Sequence, residues 1–191
     1  DLSDEVFDGD TDPQRQEEWF RENGPESPAL LDHLRAHGRE YDLVLFWTFR
    51  YAPSFFGMPL VEDRAVLVPT AEDDHAIHLS VLERYFQRPA GFLFLTPEEE
   101  TLVSTRAGRP LTPSAVIGIG RDPVETSPSR APLEAQNIRS DYLLYLGRVD
   151  RNKGCQTLVD YFEAYADTRD TPLLVLAGPA KMRIPPHPRI R

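Results

Sequence analysis

The residues with the clearest chemistry lie in one run, Leu146-Gly147-Arg148-Val149-Asp150-Arg151-Asn152-Lys153-Gly154. The apolar segment Tyr142 to Leu146 predicts a strand that ends at Gly147, and a helix is predicted to begin near Gly154. A glycine at that junction lets the backbone approach a ligand closely. The start of a helix presents unpaired N–H groups and a positive dipole end to an anion. Arg148 adds a planar fork and Lys153 a mobile point charge, five residues apart on either side of the turn. Gly147, Arg148, Lys153 and Gly154 are therefore candidates to hold one diphosphate. The alternative is an ordinary strand-to-helix loop whose basic side chains are solvated. The run lacks the Lys-Ser/Thr ending of a P-loop and the G-x-G-x-x-G of a dinucleotide fold.

A second group follows the predicted strand Ala65 to Val68, in Pro69-Thr70-Ala71-Glu72-Asp73-Asp74-His75. Parallel α/β sheets place ligand-facing groups at the carboxyl ends of their strands. Glu72, Asp73 and His75 are thus candidates for a catalytic role, orienting the hydroxyl groups of a substrate. The competing reading is that Asp73 or Asp74 caps the next helix. Trp47, Arg50 and Tyr51 follow an earlier strand and suit the lining of a cleft, with Trp47 as a core residue the alternative. His78 reads as a helix-surface residue. The single cysteine, Cys155, can form no internal disulfide and gives no metal-ligand spacing, so it reads as a buried thiol. No metal and no cofactor are implied.

The elements that must position these groups are six short apolar runs: Leu43–Phe49, Ala65–Val68, Gly91–Leu95, Ala115–Ile117, Tyr142–Leu146 and Leu173–Ala177. Continuous rather than alternating apolarity predicts parallel strands buried on both faces. Amphipathic stretches lie between them, with Ile77, Val81, Leu82, Tyr85 and Phe86 on one stripe and Leu158, Phe162 and Tyr165 on another. Strand and helix alternate, so the fold class is α/β, with Rossmann-like parallel sheets. Thr96-Pro97-Glu98-Glu99 predicts a helix start, with Thr96 as N-cap and Glu99 closing a capping box.

Residues 121–139 contain Pro123, Pro128 and Pro132 without a sustained apolar period, and read as a linker between domains. The expected organisation is a first domain over 1–120, the linker, and a βαβ unit over 140–191. The 191 residues carry a net charge of −10, which argues against a protein that holds nucleic acid or an anionic membrane by its overall field. The charge is uneven. The first 26 residues carry ten acidic side chains against Arg15 and Arg21, while the last eleven carry Lys181, Arg183, Arg189 and Arg191 and no acid. No apolar stretch approaches the roughly 18 residues that span a bilayer.

Tyr145-Leu146-Gly147-Arg148-Val149-Asp150-Arg151-Asn152-Lys153-Gly154, a helix and then Leu173-Leu174-Val175-Leu176-Ala177-Gly178 together resemble the opening of the donor domain in family 4 glycosyltransferases. Upstream, Tyr41 to Phe46, Val66 to Ala71, Phe94 to Glu99 and Val116 to Gly120 resemble the second half of the acceptor domain. The resemblance covers nearly the whole chain. It implies a GT-B architecture, incomplete at both ends, with two Rossmann-like domains facing across a cleft. It also implies transfer of a hexose, with retention, from a sugar nucleotide to a glycan, a lipid-linked or a small-molecule acceptor, in the cytoplasm with at most peripheral contact with the inner face of the membrane.

In that family the arginine and lysine of G-R-x-x-x-x-K-G contact the donor diphosphate, and they fall here on Arg148 and Lys153. Where related sequences read P-T-A-H-D-E, Glu72 stands at the histidine position and His75 comes three residues later. The family's E-x7-E segment and its first glycine-rich loop are absent, so the chain is expected to be a central piece, inactive by itself. The alternative function is a non-catalytic module that binds a glycan or a nucleotide.

Overall fold

The computed structural model describes residues 2–8, 12–123, 129–166 and 172–191, with nothing described of the Asn152 side chain. The chain divides into two compact units, Asp1–Asp122 and Pro123–Arg191. Each is an α/β layer built on a parallel sheet, four-stranded in the first and two-stranded in the second, consistent with a Rossmann-like fold.

The first unit opens with three helices, α1 (Leu2–Phe7), α2 (Pro13–Asn23) and α3 (Pro28–His37). Strand and helix then alternate through β1 (Val44–Trp47), α4 (Ala52–Gly57), β2 (Ala65–Val68), α5 (Val81–Tyr85), β3 (Gly91–Phe94), α6 (Pro97–Ala107) and β4 (Ser114–Val116). The strands pair in the order β1-β2-β3-β4, all parallel. Every strand falls at a segment the apolar runs predict.

That strand order explains one departure from expectation. Parallel crossovers are right-handed, so a sheet that grows in one direction sends every connecting helix to the same face. Phe46, Leu67 and Phe92 stand in register on the helix-covered face and are buried. On the opposite face Leu45 and Trp47 are 61% and 62% exposed. Edge strand β1 is therefore not buried on both faces, although its apolarity would permit it, while Val68 of β2, beside Trp47, is buried.

The covered face holds an aromatic core. Phe20 of α2 stacks on Phe55 of α4 at 3.8 Å between ring centroids, and Phe55 stacks with Tyr85 of α5 at 5.4 Å. The Tyr85 hydroxyl donates to the Ser54 carbonyl at 3.2 Å, and burial pushes its pKa above the ordinary range. Gln16, 2% exposed, accepts from Ser80 Oγ and the Val81 N–H, so a side chain of α2 caps the start of α5. The helix predicted at Thr96 forms as α6, with Thr96 Oγ1 accepting from the Glu99 N–H at 3.1 Å and Gly108 in the left-handed conformation as its C-cap.

The second unit contains α7 (Ala131–Ala135), β5 (Tyr142–Leu146), α8 (Cys155–Ala166) and β6 (Leu173–Ala177). Ala131–Ala135 lies inside the expected linker, and Ile138 beside it is 3% exposed, so this part of the segment is structured. Residues 124–128 of that linker lie outside the described residues. Val159 and Phe162 of α8 pack with Leu174 of β6 and Ile190 into a small core. Tyr165, placed by its spacing on the same stripe, is 44% exposed. Leu143, Leu144 and Leu146 of β5 also remain exposed, on both faces of that strand.

At the ends of these two strands the backbones nearly touch. Gly147 (φ 146°) donates to the Ala177 carbonyl at 2.9 Å, and a Cβ at Gly178 (φ 150°) would stand 2.0 Å from the Gly147 carbonyl oxygen. Only glycine fits there. Gly178→Ala is expected to cost the second unit about 3 kcal/mol or more, from backbone strain plus overlap. Gly120→Ala, at a position with no atom within 4 Å, should stay within about 0.5 kcal/mol of the parent. Denaturant unfolding of the two variants checks both; equal midpoints would contradict the close approach.

Candidate functional site

Parallel pairing brings the carboxyl ends of β1 to β4 to one edge of the first sheet. The ladder runs on past the strands, with the Thr48 N–H donating to the Val68 carbonyl at 2.8 Å and the Phe49 N–H to Pro69 at 3.2 Å. Immediately there, two threonines adopt left-handed backbone, Thr48 at φ 65° and Thr70 at φ 50°. A β-branched residue in that region costs of order 1–3 kcal/mol and persists only where its surroundings hold it.

Those surroundings are polar side chains. The Arg50 guanidinium, one turn beyond β1, donates to Asp74 Oδ2 at 2.6 Å, which ties the β1 loop to the β2 loop. The other Asp74 oxygen accepts from the Ala76 and Ile77 N–H groups and caps the helical turn His75–His78. Arg106 of α6 donates to the Ile77 and His78 carbonyls at the far end of that turn. Asn23 of α2 donates to the Arg50 carbonyl at 3.0 Å.

Trp47 and Tyr51 stand exposed at this edge, so Trp47 is not a core residue. Glu72, Asp73 and His75 are not gathered into one constellation. Asp73 pairs with His78 at 2.8 Å, and the His75 ring stacks on Phe7 of α1 at 5.6 Å. Glu72 is exposed, and no side-chain hydrogen bond joins any two of the three. The cap expected of Asp73 or Asp74 belongs to Asp74.

Glu99 does not close the expected capping box on the Thr96 N–H, because its carboxylate is taken by two other amides. Its carboxylate accepts from the Leu95 N–H at 2.6 Å and from the Ala71 N–H at 2.8 Å, while the residue is only 5% exposed. One buried anion thus joins the end of β3 to the loop after β2, directly beside the strained Thr70. The position in T-P-E-E announces a cap; nothing local announces Ala71.

In the second unit, β5 runs into the loop Gly147 to Gly154 and α8 starts at Cys155. The Val149 N–H donates to the Pro179 carbonyl, and the Val149 carbonyl accepts from Lys181, so the loop is fastened to the chain after β6. Arg148, Lys153 and Gly154 are exposed, and Gly154 is left-handed at φ 72°. Arg148 Nε pairs with the Asp150 carboxylate. Asp150 Oδ1 also accepts from the Lys153 N–H at 3.0 Å, capping the turn Arg151–Lys153. The Tyr145 hydroxyl donates to the Arg148 carbonyl at 2.9 Å. Its pKa is raised, first by a hydrogen bond with the Cys155 thiol and then by desolvation and the neighbouring Asp150 charge. Cys155 is fully buried, as its reading as a buried thiol requires.

A concavity of about 280 Å³ lies elsewhere on the first unit, lined by Arg21, Ser27, Leu31, Arg35 and Phe56. Its two arginines are engaged, Arg21 with Glu26 and the Phe56 ring and Arg35 with Asp32, so it adds no open cation. Among the described residues, no group of three His, Cys, Asp or Glu side chains is placed to hold a metal, and no helix is long and apolar enough to cross a membrane.

No protein-family model matches the chain, and no curated protein or solved structure matches it. What its own structure defines is an α/β protein whose polar groups collect at the strand ends of parallel sheets.

Glu99→Ala leaves the half-buried Ala71 and Leu95 N–H groups without their acceptor and should lower the stability of the first unit by about 3 kcal/mol. Glu99→Gln keeps one acceptor and should lose about half as much. Denaturant unfolding with amide exchange at Ala71 and Leu95 checks this: unchanged exchange at both amides in the alanine variant would contradict the bridge.

Proposed function

We propose that this chain carries the donor-recognition loop of a glycosyltransferase that moves a hexose from a sugar nucleotide to a glycan, a lipid-linked or a small-molecule acceptor. The observation that supports it is the loop Gly147 to Gly154. Two exposed cations stand on a strand-to-helix turn at the start of α8, a twelve-residue helix. Arg148 and Lys153 would hold the diphosphate and stabilise the negative charge that grows on it as the bond to the sugar breaks. Preformed donors in a fixed loop supply that stabilisation without reorganising during the reaction.

The acceptor would be placed by the strand-end edge of the first unit. Exposed Trp47 and Tyr51 offer aromatic faces to a sugar ring. Arg50 and Asp74 hold the two loops on which these aromatics and Glu72 stand. Glu72, exposed and not committed to an ion pair, is the carboxylate of that edge best suited to meet an acceptor hydroxyl.

A non-catalytic module that binds a glycan or a nucleotide is the second reading. The separation of Glu72, Asp73 and His75 favours it, because Asp73 and His75 have other partners. Turnover measured on the full-length protein separates the two: an enzyme releases nucleoside diphosphate from the donor in the presence of a mixed acceptor pool, and a binding module does not.

Calorimetric titration with a panel of sugar nucleotides tests donor recognition directly. The parent chain should bind at least one, and Arg148→Ala and Lys153→Ala should each weaken it by roughly tenfold or more, the loss of a charge-assisted contact. Parent-like affinity in both variants would remove the diphosphate assignment.

A further inference from the structure

We infer that Asp150 is a positioning residue that sets both cations of the Gly147 to Gly154 loop for a diphosphate; the inference rests on the donor-recognition reading above. An acid inside an anion site is the wrong charge for its ligand. Coulomb's law alone would have it weaken binding. Its geometry gives it a different task.

Asp150 is 9% exposed, and its side chain is held by the fold while the Arg148 side chain it contacts is 53% exposed. The contact is made through Arg148 Nε. An arginine held at Nε still carries the donors of its two terminal nitrogens, the pair that matches two oxygens of a phosphate. Fixing one end of the guanidinium limits the rotamers that a long side chain would otherwise lose on binding.

The same carboxylate reaches the second cation by way of the backbone. Oδ1 accepts from the Lys153 N–H, and the Asp150 carbonyl accepts from Lys153 and Cys155. Asp150 itself is extended, at φ −144° and ψ 168°, so it caps the turn Arg151–Lys153 that leads into left-handed Gly154. Arg148 by its side chain and Lys153 by its main chain thus converge on one buried acid. Its Arg148 carbonyl neighbour is fixed from the other side by Tyr145.

The test measures affinity for inorganic diphosphate by calorimetry in the parent, Asp150→Ala, Asp150→Asn, Arg148→Ala and the Arg148→Ala/Asp150→Ala and Arg148→Ala/Asp150→Asn pairs. Asp150→Ala should weaken binding about tenfold although it removes a negative charge, and should add little once Arg148 is gone. Asp150→Asn keeps the turn cap and one acceptor, so it folds as the parent and should fall between the two. Circular dichroism checks that each variant is folded; if Asp150→Ala is not, the asparagine variant in the same cycle decides. Parent-like or tighter binding in folded Asp150 variants, or an equal loss in the Arg148→Ala background, overturns the positioning role and leaves the donor reading intact. A parent chain that shows no Arg148-dependent diphosphate binding overturns the donor reading and this inference together.

Discussion

Parallel strand pairing is the constraint from which the rest of this molecule follows. A parallel strand cannot turn back on its neighbour, so each must return through a crossover, and every strand-to-helix loop leaves the sheet at the same edge. In the first unit that edge receives Thr48 to Tyr51, Pro69 to His75 and Leu95 to Thr96. In the second it receives Gly147 to Gly154 and Gly178. Polar side chains gather there because every strand-to-helix loop is delivered to it.

The backbone at those edges turns through left-handed residues, and an acid stands beside each of them, buried in Glu99 and Asp150 and half-buried in Asp74. Thr70 is left-handed, and Glu99 accepts from the next N–H. Arg50 follows left-handed Thr48 and is bound by Asp74, which also caps a turn. Asp150 caps the turn that ends at left-handed Gly154 and pairs with Arg148. A carboxylate can accept several hydrogen bonds at once, whereas a backbone carbonyl in a regular ladder is already committed. One side chain can therefore fasten two loops. These acids are architectural: Glu99 and Asp74 each tie one loop to another, and Asp150 closes the turn Arg151–Lys153.

Much of the fold is legible in the sequence, since apolar runs bounded by glycine, proline and charge mark the ends of β1 to β6 within two residues. Thr96 and Pro97 mark the start of α6 for the same local reason. The open faces are not legible. Leu45 and Trp47 are apolar enough to be buried, and only the strand order reveals that no crossover helix of this sheet covers them. At the candidate site, exposure of Arg148 and Lys153 agrees with their spacing about a turn. The long-range partners escape: neither His75 against Phe7 nor Glu99 against Ala71 leaves a periodic signal. Hydrogen bonds between loops far apart in sequence depend on tertiary approach, which a single chain of letters does not encode locally.

The central claim is that the loop after β5 receives the diphosphate of a sugar nucleotide. Amide resonances followed during titration of the chain with the tightest-binding sugar nucleotide test it most directly. The account predicts saturable shifts concentrated at Gly147 to Thr157, the loop and the first turn of α8, with salt reducing the affinity. Saturable shifts confined to residues of the first unit, with that loop unmoved, would contradict it.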